Sequence, residues 1–187
     1  MKRICIFASG SGTNAHNIIR YFKKSEKAEV VLVISNKQSA GVLQKAVLEN
    51  IPAMLLAGKS YFEDKKLSEF LVKQKIDLIV LAGFLLLIPE HIIKAFPNKI
   101  INIHPALLPK HGGKGMYGMK IHEAVIRNKE KESGITIHYV NEKYDEGGII
   151  FQARCEVTPS DTPETLAQKI HAFEYEHFPK VIEKLLS

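Results

Sequence analysis

Apolar positions along the chain fall into two alternating kinds of run. Short, nearly continuous apolar stretches occur at Met1–Ala8, Glu29–Ile34, Ile51–Leu56, Asp77–Leu81 and Lys99–His104. Their length and β-branched content suit strands buried on both faces. Between them lie segments with apolar residues three and four apart, the helical spacing. These are Ala15–Lys24 (Ala15, Ile18, Ile19, Phe22), Ser39–Asn50, Tyr61–Lys75 and Pro89–Phe96. Ser39 suits an N-cap, Asn50 a C-terminal stop, and Pro89 a first turn. Strand–helix alternation of this kind predicts right-handed crossovers: an α/β fold with a doubly wound, mostly parallel sheet and helices on both faces, Rossmann-like.

The pattern changes after residue 104. Pro105–Met119 dissolves into Pro, Gly and basic residues, a loop long enough to be either functional or disordered. Lys120–Arg127 has helical spacing. Gly134–Val140 (Ile135, Ile137, Tyr139) and Gly148–Val157 read as an antiparallel pair extending the sheet. Pro163–Leu186 is a closing helix, capped by Asp161 or Thr162, which Pro179 should kink or split.

The fifth apolar run carries the chemistry. Lys99–Pro109 reads KIINIHPALLP. Alternation along a strand puts Asn102 and His104 on one face and Ile101 and Ile103 on the other. Pro105 lacks an N–H and stops the strand, so the pair sits at a carboxyl end, where open α/β sheets bind ligands. An amide donor beside an imidazole suits a carbonyl carbon becoming tetrahedral, one group for the oxyanion and one for the proton. A structural pair bonding to backbone at a strand end is the plainer alternative.

Composition narrows the class. With 187 residues, 45% apolar and 25% charged, the expectation is one domain spanning 1–187. Cys5 and Cys155 lie far apart in apolar runs and read as buried thiols; no CxxC, HExxH or His/Cys ligand spacing points to a metal. The N-terminal apolar run is too short for a secretory signal, and no stretch approaches a membrane span, so a cytoplasmic location is expected. The net charge of +6 is scattered rather than striped, which argues against a nucleic-acid partner and allows an anionic small substrate.

Three further segments carry candidate function. Gly10-Ser11-Gly12-Thr13-Asn14 sits at a strand-to-helix junction, where free N–H groups hold an anion. It matches G-x-G-x-x-A formally, yet the second strand ends in Ser35-Asn36 with no acid for a ribose diol. A phosphate monoester therefore fits better than a dinucleotide. Asp145, in the connection Asn141–Gly148, could orient His104, although Glu142 and Glu146 flank it and a solvated turn Asp is the plainer reading. Ala82–Pro89 (AGFLLLIP) is either a buried segment or an apolar slot for a flat aromatic ligand. His138 alternates within a strand, His16, His91, His122, His171 and His177 lie on helices or their ends, and His111 lies in the long loop; none stands out by spacing.

ASGSGTN near the start, LAGF at Leu81–Phe84, INIHPALLP at Ile101–Pro109 and YDEGGIIFQ at Tyr144–Gln152 occur together in this order. In these motifs the chain resembles the phosphoribosylglycinamide formyltransferase family of folate-dependent enzymes over essentially its whole length. The resemblance implies formyl transfer from 10-formyltetrahydrofolate, as co-substrate, to the amine of phosphoribosylglycinamide, with no metal. It implies Asn102, His104 and Asp145 as the catalytic residues, and Gly10, Ser11, Gly12, Thr13, Asn14 and Glu174 as substrate contacts. Leu85, Leu86, Leu87 and Ile88, with Asn141, Glu142, Lys143, Tyr144, Asp145 and Asn102, are implied at the folate. Leu86 stands where the family often has Arg, Gly148 where many members have Pro, and Lys59 near the place of a folate-tail Arg expected by Ser60. The loop Lys110–Met119 is longer than in compact members. Other formyl-folate enzymes remain alternatives, among them methionyl-tRNA formyltransferase and formyltetrahydrofolate hydrolase. Both are expected to need further domains. A noncatalytic nucleotide-binding module would leave Asn102, His104 and Asp145 without a shared purpose.

Overall fold

The computed structural model describes residues 1–56 and 58–187, the side chain of Lys59 excepted. The folate-tail role considered for Lys59 therefore lies outside the described residues. The strands are β1 (Lys2–Phe7), β2 (Ala28–Ser35), β3 (Ala53–Leu55), β4 (Leu78–Leu81), β5 (Ile100–His104), β6 (Glu132–Tyr139) and β7 (Ile149–Glu156). The helices are α1 (Thr13–Phe22), α2 (Gly41–Leu48), α3 (Lys59–Glu63), α4 (Lys66–Lys73), α5 (Glu90–Ala95), α6 (Met119–Arg127) and α7 (Pro163–Leu186). The strands form one sheet in the order β3-β2-β1-β4-β5-β6-β7. Pairing is parallel from β3 through β5 and antiparallel for β5–β6 and β6–β7.

Alternation in the buried strands divides the core between the two faces. Ile4, Ile6, Val80, Ile101 and Ile103 pack with α1 and α7, through Ile18, Phe22, Ile170 and Phe178. Cys5, Phe7, Ile79, Leu81 and Ile100 pack with α4 and α5, through Leu71 and Ile92. The strand order reverses between β1 and β4, so the loops after these strands part and leave a crevice at their carboxyl ends. The crevice floor is tied together by Ser9: its N–H donates to Gly83 O at 3.0 Å, and its Oγ accepts from Leu85 N–H at 3.0 Å.

Three local expectations change, and one open choice is resolved. The single helix over Tyr61–Lys75 is two helices, because Asp64 takes an extended backbone and its Oδ1 accepts the Lys66 N–H at 2.9 Å. A short acceptor side chain here competes with the helical ladder. Ser39 caps nothing; Ala40 occupies the N-cap of α2 without a side-chain bond. Asn50 does end that segment, in the left-handed region at φ 58°. Thr162, not Asp161, caps α7, in a reciprocal pair with Thr165, while Asp161 binds Thr158 and Lys169. Pro179 does not split α7. The Tyr175 carbonyl, which would have accepted the missing N–H, takes Asn17 Nδ2 of α1 at 2.9 Å instead.

Candidate active site

The carboxyl ends of β1, β4 and β5, the loop before α6, the connection after β6 and one face of α7 enclose a cavity of about 640 Å³. Its size is that of a small-molecule site. One end is made of backbone. Residues 10–14 wrap the start of α1, where no acidic residue occupies the first turn and no side chain caps the helix. The first i→i−4 bond is His16 N–H to Gly12 O, 2.9 Å, so the preceding amides have no partner within the helix. Gly12 has φ 74°, and a Cβ there would meet Val42 at 2.5 Å. Only glycine gives both the turn and the close approach of α2.

The other end is made of side chains. Register pairs Asn102 with His138 and His104 with Thr136 across β5–β6. Asn102 Nδ2 lies 3.1 Å from His138 Nε2 and 3.5 Å from Asp145 Oδ1. His138 Nδ1 donates to Tyr139 O at 2.8 Å, which leaves Nε2 as the acceptor of the Asn102 amide. His104 Nε2 donates to the backbone carbonyl of His111 at 2.8 Å, and its Nδ1 faces Asp145 Oδ2 at 3.5 Å. Asp145 sits at φ 57°, and its Oδ2 accepts the Gly113 N–H at 2.9 Å.

Burial pushes the His104 imidazole below its ordinary pKa of 6.5, although Asp145 and the His111 carbonyl pull the other way. Burial thus favours the neutral imidazole at His104, while Asp145 opposes it and favours the protonated form. For Asp145, burial favours the neutral acid, but its polar partners, the Gly113 N–H among them, outweigh this and lower the carboxyl from 3.8. A neutral imidazole and a carboxylate thus face each other across a gap too long for a direct hydrogen bond. Such a pair can take up one proton.

Along the wall between the two ends, Glu174 is 4% exposed, and its Oε2 accepts Asn14 Nδ2 at 2.9 Å and pairs with His171 Nδ1 at 2.8 Å. That contact raises the His171 pKa above 6.5. Among the described residues, no group of three His, Cys, Asp or Glu side chains could hold a metal ion.

A family model described as formyl transferase matches residues 2–182. The chain belongs to the formyl transferase family. Among similar proteins, the phosphoribosylglycinamide formyltransferase of Bacillus subtilis is 37% identical, covering all of this chain and 95% of the relative. The chloroplastic phosphoribosylglycinamide formyltransferase of Arabidopsis thaliana is 38% identical over 97% of the chain. The chain spans 64% of that relative's length, and 61% of the Vigna unguiculata counterpart. The crystal structure of phosphoribosylglycinamide formyltransferase from Bacillus halodurans superposes with a TM-score of 0.88 at 39% identity, covering 100% of this chain and 96% of the other.

In this formyl transferase family member, the expected site residues divide. Gly10, Ser11, Gly12, Thr13, Asn14, Asn102, His104, Asp145 and Glu174 all line the one cavity, with Leu85 and Tyr144. Leu86, Leu87 and Ile88 do not reach its wall: Ile88 is buried in the α4–α5 core, Leu86 packs on that core, and Leu87 is exposed. Asn141, Glu142 and Lys143 also lie outside the lining; Asn141 Oδ1 accepts the Lys143 N–H, and Lys143 pairs with Glu146 at the surface. Within the long loop, Gly113–Gly118 forms a cavity wall.

Histidines that spacing did not single out belong to the site. His138 orients Asn102, the His111 carbonyl holds His104, and His122 and His171 line the cavity. The signal for His138 was present: Thr136 and His138 are the two polar residues interleaved with Ile135, Ile137 and Tyr139. Only the pairing register shows that they share a face with Asn102 and His104.

Proposed function

We propose that this chain transfers the formyl group of 10-formyltetrahydrofolate to the primary amine of phosphoribosylglycinamide, a step of purine biosynthesis. One observation carries the reading: the amide-lined turn at residues 10–14, after β1, and the Asn102–His104–Asp145 group, at the end of β5 with β4 between, line one and the same cavity. Such a cavity suits a phosphate monoester whose far end is the nucleophile. The names of the relatives and the family match support formyl transfer with phosphoribosylglycinamide as the acceptor.

The amides at the start of α1 bind the phosphate, with Ser11 and Thr13 adding hydroxyl donors. Glu174 borders the path from phosphate to amine. Asn102 has one N–H on His138 and the other only weakly engaged by Asp145, at 3.5 Å. That second hydrogen is free for the oxyanion that forms when the amine attacks the formyl carbon. His104 and Asp145 receive the proton the amine gives up. His104, then cationic, stabilises the oxyanion beside Asn102 and returns the proton to the leaving nitrogen. The co-substrate fits the other wall: Ala82, Phe84, Leu85 and Tyr144 present an apolar face for the pterin next to Asn102. The partners are small molecules, and the reaction is placed in the cytoplasm. No helix among the described residues is long and apolar enough to cross a membrane.

The test is formyl transfer by the purified chain with phosphoribosylglycinamide, methionyl-tRNA and water offered as acceptors. Selective turnover of the first is expected. Preference for the tRNA or for water would replace this reading with one of the other formyl-folate activities.

A further inference from the structure

Between the cradle and the acid–base group, the cavity wall carries polar atoms that no protein group satisfies. His122, on α6, is 3% exposed yet lines the cavity, and its Nδ1 is buried without a partner. The Asn14 side chain donates to Glu174, but its Oδ1 is also buried without a partner. His171, Glu174 and His104 all act electrostatically on His122, which places it between the two ends of the site. Buried polar atoms are nearly always hydrogen-bonded, so two unsatisfied ones on one ligand-cavity wall call for a ligand.

The donor inventory selects that ligand. Asn14 Oδ1 and the Glu174 carboxylate only accept, so an anion fits neither. A neutral imidazole gives one hydrogen bond and takes another. Burial, with His171 adding to it, keeps His122 on that side of its titration at neutral pH. A hydroxyl both donates to such acceptors and accepts from such a donor, and a vicinal diol does so twice. We propose that His122 and the Asn14 side-chain carbonyl bind the hydroxyls of the pentose that joins phosphate to amine, making His122 a determinant of ribose over deoxyribose. The assignment rests on the phosphoribosyl substrate read above. The imidazole has no protein hydrogen bond to break, so a half-turn about χ2 can bring either nitrogen to the cavity.

The experiment compares phosphoribosylglycinamide with its 2-deoxy and 3-deoxy analogues on wild type, His122→Phe and His122→Gln, at saturating formyl donor. Wild type should favour the ribose substrate at least tenfold in kcat/KM over one analogue, about the effect of one buried hydrogen bond. His122→Phe should raise KM for the ribose substrate about tenfold, leave kcat within about threefold, and abolish the discrimination; His122→Gln should restore part of it. Equal losses on ribose and deoxyribose substrates, or unchanged discrimination in a folded His122→Phe, overturn the assignment. Calorimetric binding to wild type alone gives a variant-free check: equal affinities for the three ligands overturn it as well. Absence of any wild-type turnover with phosphoribosylglycinamide would instead overturn the underlying reading, and this one with it.

Discussion

At the end of the cavity proposed for the phosphate, the groups come from consecutive residues, 10–14, and offer backbone amides. At the acid–base end they come from β5, β6 and the connection after β6, and act through side chains. The two ends fail differently. A backbone cradle tolerates side-chain change wherever space allows, because its donors are amides that every residue but proline has. A side-chain cluster depends on each member, since removing one leaves a buried partner unsatisfied.

The largest expected effect is therefore at β5. Asn102→Ala and His104→Ala should each lower kcat by about 10³, roughly 4 kcal/mol, with substrate affinity nearly kept. Steady-state kinetics with a separate binding titration would show this, and near-wild-type turnover by either variant would sink the mechanism. Asp145→Asn keeps the shape but loses the charge opposite His104, and should lower kcat about 10²-fold. His138→Phe acts one step further back. It should lower kcat roughly tenfold by freeing Asn102 and add little to Asn102→Ala; full additivity of the pair would show that His138 does not work through Asn102.

The cradle gives smaller effects and a sharper contrast. No atom lies within 4 Å of a Cβ built at Gly10. Gly10→Ala should be close to silent, while Gly10→Asp should raise KM for the phosphate substrate about tenfold through like charge, with kcat unchanged. If Gly10→Asp binds as wild type does, the phosphate lies elsewhere. Gly12 would not serve for this test: its φ of 74° and the Val42 contact make any side chain there destabilising, by about 1–3 kcal/mol, whatever its charge.

The smallest effect is a pH dependence with a defined sign. Burial sets His104 and His122 below 6.5, so folding favours their neutral forms. Their contribution is complete above that value and is lost as pH falls through the folded-state values. His171, raised by Glu174, contributes in the opposite sense, below 6.5 and up to its own folded value. Melting temperatures measured from pH 7.5 down to about 5 should fall, and the fall should shrink in His122→Phe. A profile that is unchanged in His122→Phe would mean that His122 is not held neutral.

The same contrast decides what could be read from the chain. Alternation of short apolar runs with helical spacings was enough for the parallel sheet and its antiparallel extension, because burial on two faces leaves a local pattern in the strands themselves. Gly10–Asn14 and the Asn102/His104 pair were legible for the same reason: each is contiguous, and strand period alone sets which side chains share a face. The break at Asp64 was not, since a single side-chain bond to Lys66 N–H outweighs an otherwise continuous helical spacing.

By itself, then, the sequence determined the sheet, the glycine-rich turn into α1 and the polar pair at the end of β5. Tertiary structure decided the company they keep. His138 meets Asn102 only because β6 runs antiparallel to β5 in that register; a shift of one residue would turn it to the opposite face. Folding the loop before α6 back over the strand end places the His111 carbonyl on His104 and the Gly113 N–H on Asp145. It also buries His104, which favours the neutral imidazole. Protonation state depends on the surrounding dielectric and on charges brought from distant segments, and neither is a property of residue order.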